Sequence, residues 1–194
     1  MAIPSTRHAL LRAAGRALVA QEPVARADVI VISVDADGAG VLEAADLVHA
    51  GVATRVALFP DLPDVIDREF IRRGVPYHNA ALLAAMQLRA LGINSVEQIP
   101  WYVNGTTDES VSLKRWCLEK RFRSVVFVST ADHSRRTRRM FDRTMRGADT
   151  QVIVHYSRYS EFDPDKWWLT RNGIRIEVLE TQKLLLDALL HPLS

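Results

Sequence analysis

The sequence predicts an α/β protein, a three-layer domain of about five mainly parallel strands with helices on both faces. The first observation is a pair of β-branched runs, D-V-I-V-I-S-V over 28–34 and S-V-V-F-V over 124–128. Near-continuous apolar runs of this kind mark strands buried on both faces of a parallel sheet. The second is the alternation of such runs with stretches of helical spacing, which implies strand–helix–strand crossovers. The third is that both runs end in polar clusters, and open α/β sheets bind ligands beyond the carboxyl ends of their strands.

Taken in order, residues 1–22 form an N-terminal amphipathic helix, rich in Ala and Leu over 9–20 but interrupted by Arg12 and Arg16. Pro23 and residues 25–27 connect it to the first strand. D-A-D-G-A-G over 35–40 follows that strand, then a helix over 41–49 stopped by Gly51. A second strand over 54–59 closes in P-D-L-P-D. Helical spacing resumes at Asp64 with Val65, Ile66, Phe70 and Ile71 and ends at Gly74 and Pro76. Asn79 caps a helix that Gly92 ends, and a short strand occupies 95–99. N-G-T-T over 104–107 leads into a helix over 108–120, and the second principal strand comes next. An arginine-rich helix runs to Arg146, a fifth strand covers 151–155, Trp167 and Trp168 sit in a turn, and 174–190 ends in helix. With no repeat or long linker, 1–194 is one domain whose core spans 27–190.

Composition bounds the function classes. At 194 residues with 48% hydrophobic and 25% charged residues, the chain is sized for one full core. A net charge of +2 provides no global field for nucleic acid, and the outer arginines Arg138, Arg139, Arg143 and Arg146 have no interleaved aromatics and read as a solvated face. The single cysteine, Cys117, excludes an intrachain disulfide and a cysteine-based zinc site; a core position on a helix suits it. No uncharged run reaches the roughly 20 residues of a membrane span. The expected compartment is the cytoplasm. No metal-ligand set, cofactor or oligomeric state can be read from the residues.

Three polar loops are expected to converge on one sheet edge: Asp35 and Asp37, the segment with Thr106, Thr107 and Glu109, and Ser129, Thr130, His133, Arg135 and Arg136. This inventory suits binding an anionic, phosphorylated or nucleotide-like small molecule and moving a proton. His133 and Glu109 are the candidate catalytic pair, and Glu109, His133 and Arg136 are expected to meet. Asp132 reads as the N-cap of the arginine-rich helix, and Arg135 and Arg136 as anion clamps near its amino end. Each has a plainer role too. Asp35 and Asp37 fit a cap and turn, and Thr106 with Glu109 fits a capping box.

The segments V-N-G-T-T-D-E-S and V-V-F-V-S-T-A-D-H-S-R-R-T-R-R-M-F resemble the SanA/ElyC/YdcF-like family, whose activity is largely undefined. Thr107 and Glu109 match its T-x-E segment, and His133 and Arg136 its H-x-x-R, with Thr137 where alanine is usual and Phe141 as the aromatic. Glu180 and Lys183 match a late E-x-x-K. The resemblance covers 27–190 and implies a Rossmann-like fold with a charged site and a link to envelope or glycan metabolism. The turns after the first two strands depart from the family's glycine-rich pattern. A non-catalytic ligand-binding or scaffold protein is the rival reading. V-D-A-D-G-A also resembles the first motif of haloacid dehalogenase-like phosphatases, with Asp35 as nucleophile and Asp37 as general acid. There the later acidic pair is missing, and Ala39 stands where Thr or Ser is expected.

Overall fold

The computed structural model describes residues 3–192. Residues 1 and 2 of the expected N-terminal helix, and residues 193 and 194 of the expected domain, lie outside them. The described chain runs α1 (Ile3–Ala17), β1 (Val29–Ile32), α2 (Asp37–His49), β2 (Val56–Leu58), α3 (Val65–Arg72), α4 (Ala80–Ala90), β3 (Val96–Gln98), α5 (Thr106–Lys120), β4 (Ser124–Ser129), α6 (Ser134–Thr144), β5 (Gln151–Tyr156) and α7 (Arg171–Leu190). The five strands form one sheet in the order β3-β2-β1-β4-β5, and every pairing is parallel. The expected three-layer Rossmann-like class is the one observed.

Strand periodicity sorts the two layers. Ile30, Ile32, Val56, Leu58, Val126 and Val128 point to one face, where Val41, Ala44 and Ala45 of α2 and Ala81, Ala85 and Leu88 of α4 cover them. Val29, Val31, Val125 and Phe127 point to the other, under Leu113, Trp116 and Cys117 of α5 and Phe141 of α6. Both faces of β1 are therefore sealed, which explains why its sequence does not alternate. Cys117 is buried as expected.

Local signals set several helix ends. Asp64 accepts from the Asp67 amide while Asp67 accepts from the Asp64 amide, a closed capping box for α3. Asn79 accepts from the Leu82 amide at the start of α4. Two expectations change. Helix α2 begins at Asp37 rather than 41, because a single 3-10 turn over Val34–Ala36 passes the chain directly from β1 into the helix. The outer arginines of α6 are mostly not a solvated face: Arg139 and Arg143 both reach Asp187 of α7, and Arg138 reaches Glu22. These partners lie 44 or more residues away in sequence, beyond the reach of local pattern, although Arg138 also pairs with Asp142 one helical turn on. Arg146 does remain exposed.

The chain fills β1, then β2 and β3 on one side, and returns past β1 to place β4 and β5 on the other. The connections diverge above β1 and β4, leaving a crevice at their carboxyl ends. Among the described residues no helix is long and apolar enough to cross a membrane.

Gly40 lets α2 sit close against the end of β1 and the turn that follows it. A Cβ there would lie 2.6 Å from Ile32 Cγ2 and 2.7 Å from Ala36 Cβ, both buried. Alanine gains at most ~1 kcal/mol in helix propensity, whereas overpacking costs roughly 1–3 kcal/mol. Gly40→Ala is therefore expected to lower stability in urea denaturation, and an unchanged or raised midpoint would show that the contact relaxes freely.

Candidate functional site

The crevice above β1 and β4 is a cleft of about 630 Å³. Its floor comes from the turn after β1 (Asp35 to Ala39) and the loop after β4 (Thr130, Asp132, His133), and Arg136 stands on the first turn of α6. Tyr159 to Phe162 form one wall, and Ile176, Glu180 and Lys183 of α7 form another.

His133 is the most constrained residue of the cleft. Only 5% of it is exposed, and its Nδ1 lies 2.9 Å from Thr130 Oγ1 and 3.4 Å from Asp132 Oδ2. Its Nε2 has no hydrogen-bond partner and stands 3.8 Å from Asp35 Oδ2, beyond bonding reach. Burial works to lower the imidazole pKa, but the bond to Asp132 and the charges of Asp132 and Asp35 outweigh it and raise it above the ordinary value. Burial likewise works to raise Asp132, and the His133 bond and charge outweigh it and hold that carboxyl low. The arrangement is a carboxylate-supported imidazole whose second nitrogen is buried and unpartnered on the Asp35 side of the ring.

Several expected roles change here. Asp132 does not cap α6, whose N-cap is His133 without a side-chain cap bond; the Asp132 carboxylate turns to the imidazole instead. Asp132, rather than Glu109, is thus the carboxylate bonded to His133. Glu109 is fully buried and makes different contacts: its Oε1 accepts from the Val34 amide at 2.7 Å and its Oε2 from the Ser33 hydroxyl at 3.1 Å. It has no hydrogen bond to His133 or Arg136 and acts with His133 through charge alone. Nor does Thr106 form a capping box with it, because Gly105 at φ 94° is the N-cap of α5. Thr106 is buried, Thr107 exposed, and neither lines the cleft. Ser129 is buried below the cleft with an unpartnered hydroxyl, whereas Thr130 lines it.

The two clamp arginines separate. Arg135 reaches back to the carbonyls of Ala17 and Val19, each at 2.6 Å, and so closes the carboxyl end of α1. It is not in the cleft, because successive helix residues point about 100° apart. Arg136 does line the cleft, and its Nη2 lies 3.2 Å from Glu180 Oε2, while Lys183 Nζ is 2.6 Å from Glu180 Oε1. The lining contains five carboxylates, Asp35, Asp37, Asp132, Glu161 and Glu180, against Arg136, Lys183 and His133. The anion-receptive part is therefore confined to the α6–α7 side, opposite the two β1-turn aspartates.

Asp35 is half exposed. Asp37 has φ 42° and ψ −142°, an uncommon conformation for a residue with a Cβ that costs of order 1–3 kcal/mol. Burial, followed by the charges of Asp35 and Asp61, raises its pKa. Among the described residues no group of three or more His, Cys, Asp or Glu forms a set able to hold a metal ion.

Sequence reasoning missed the wall at 159–162 and what holds it. Glu43, only 3% exposed, accepts from the Arg158 amide at 2.9 Å and pairs with His155 Nε2 at 2.9 Å. Ser157 Oγ donates to the Ala39 carbonyl, and Ser160 Oγ accepts from the Ala131 amide. A glutamate at an inward position of α2 was the available signal. No protein-family model, curated protein or solved structure matches the chain.

The buried Glu109 generates a pH prediction. Burial pushes its carboxyl up to about 7 from an ordinary 4.5, against the opposing Val34 bond. Between these values the folded state holds the extra proton, so its stabilisation is complete below about 4.5 and lost as pH rises towards 7. The change is roughly 2–3 kcal/mol. Wild type should lose stability over this window and Glu109→Gln should flatten the profile, as read by denaturant midpoints. An equal slope in both would remove Glu109 as the cause.

Proposed function

We propose that the chain is a SanA/ElyC/YdcF-like protein that binds a phosphorylated or nucleotide-like small molecule in the cleft above β1 and β4, with His133 moving a proton on it. The observation that carries this reading is the buried, unpartnered Nε2 of His133, a residue lining the cleft, 3.8 Å from Asp35 Oδ2. An orphaned buried nitrogen is costly unless something else meets it, and a perturbed titratable group in a cleft is a hallmark of function. Arg136 and Lys183 suit a phosphate, with Glu180 limiting their excess charge. Asp35 and Asp37 suit ligand hydroxyls on the opposite side, where a second phosphate would be repelled. Asp132 holds the imidazole, and its charge favours the protonated ring that donates to a leaving or developing anionic oxygen. The compartment in this reading is the cytoplasm, where a thiol such as Cys117 stays reduced.

A second reading, a non-catalytic ligand-binding or scaffold protein, is favoured by one observation. Arg136 is already paired with Glu180, just as Arg139 and Arg143 are with Asp187, so α6 and α7 share an ion-pair seam. For the haloacid dehalogenase-like alternative, Asp35 and Asp37 stand without the later acidic pair of that motif set, and among the described residues they belong to no group of three or more His, Cys, Asp or Glu able to hold a metal ion.

Thermal denaturation with adenosine 5′-monophosphate separates these readings. A ligand of the folded state stabilises by about 2.7 kcal/mol at a hundred times Kd. Wild type should show a rise in Tm that Arg136→Gln diminishes, and His133→Gln should remove the pH dependence of the rise near neutrality. If no phosphorylated probe shifts Tm while Arg136→Gln destabilises the free protein by the roughly 3–5 kcal/mol of a broken buried pair, the scaffold reading replaces this one.

A further inference from the structure

On the other side of the Asp37–Gly38 turn lies a second cavity, of about 210 Å³, that the cleft chemistry does not use. It shares Asp37 and Gly38 with the first, so the two are adjacent chambers divided by one strained turn. Its character is opposite. Ile32 and Leu58 line it from β1 and β2, Phe59 from just past β2, and Ala80, Ala81, Leu83 and Ala84 from the amino-terminal part of α4. Three alanines beside Leu83 leave space along this side of α4, and Gly38 adds no bulk at the divide. The only flexible polar group on the lining besides Asp37 and Ser33 is Gln87, which offers both a donor and an acceptor.

We infer that the cleft ligand is bipartite, and that an uncharged heteroaromatic ring attached to its polar, phosphorylated part occupies this alanine-walled slot. The inference rests on the preceding reading of the cleft as a phosphate site. Size supports a ring: an apolar cavity of about 150 Å³ accepts benzene. Chemistry selects a heteroaromatic ring over an alkyl chain, because Gln87 pairs with ring-edge heteroatoms that a chain lacks. Position supports continuity, since a ligand crossing β1 at this edge has its hydroxylated middle beside Asp35 and Asp37 and its two ends in chambers of matching character.

Calorimetric titration with ribose 5-phosphate, adenosine 5′-monophosphate and n-octyl phosphate tests this on wild type, Ala84→Leu and Ala80→Phe. Ala80 is exposed and Ala84 only partly buried, so at least one variant is expected to fold, as its circular dichroism will show. The expected result is that the adenosine compound binds wild type at least about tenfold more tightly than ribose 5-phosphate, the scale of one good apolar contact. Either folded variant should reduce that advantage to about threefold or less while leaving ribose 5-phosphate affinity unchanged. Equal affinities in wild type, or an advantage that survives both variants, would overturn the slot while the phosphate reading stands. Octyl phosphate gaining where the adenosine compound does not would overturn the ring. Failure of all three probes to bind at millimolar concentration would sink the phosphate reading, and the slot with it.

Discussion

The turn that leaves β1 is held by a carboxylate from a helix 75 residues further along the chain. Glu109 accepts from the Val34 amide and the Ser33 hydroxyl in a site closed to water. Two backbone-level constraints follow. The amide that a 3-10 turn leaves without a helical partner is satisfied, and α5 is fixed over β1 in one register. Asp35 and Asp37, the shared divide between the two chambers and the start of α2 all descend from that turn. Its cost is a buried acid whose pKa has moved to about 7, tolerated because an unsatisfied amide and an unanchored turn would cost comparably.

Around this anchor the polar residues divide into those that build and those that face the cleft. Glu43, Arg135, Arg139, Arg143 and Asp187 build: each closes a helix end, a loop or a helix pair. His133, Asp35, Asp37 and Asp132 face the cleft, and Arg136 does both. The charge balance follows from the division. Most arginines of the basic helix α6 point away towards α1 and α7, so the cleft is more acidic than the sequence of that helix suggests. A ligand suited to it has hydrogen-bond donors at the β1 end and negative charge only near α7.

The strand ends β1 and β4, the helix starts at Asp64 and Asn79 and the parallel sheet were legible in the sequence because their causes are local. A β-branched run declares a buried strand, and a capping side chain bonds to an amide three residues away. His133, Thr130, Asp35 and Asp37 were legible as cleft residues for the same reason, since the end of a buried strand in an open sheet is a known place. Asp132 and Glu109 were placed near the right location with the wrong contacts, because local rules gave each a cap to serve and tertiary packing offered a better partner. An imidazole one residue away took Asp132, and the β1 turn took Glu109.

The sequence by itself determined the class of the fold, the order of its elements and that the ends of β1 and β4 would carry polar chemistry, since hydrophobic periodicity and chain connectivity suffice for these; the third loop it expected there, at 104–109, does not line the cleft. Tertiary structure alone decided that β1 and β4 are neighbours, that Arg135 closes α1 while Arg136 enters the cleft, that the 159–162 wall is tied down by Glu43, and that an apolar chamber adjoins the polar one. The physical reason is that each of these depends on through-space partners separated by tens to over a hundred residues. Orientation on a helix changes by about 100° per residue, and a cavity is defined by side chains that are absent from a point rather than present in a motif.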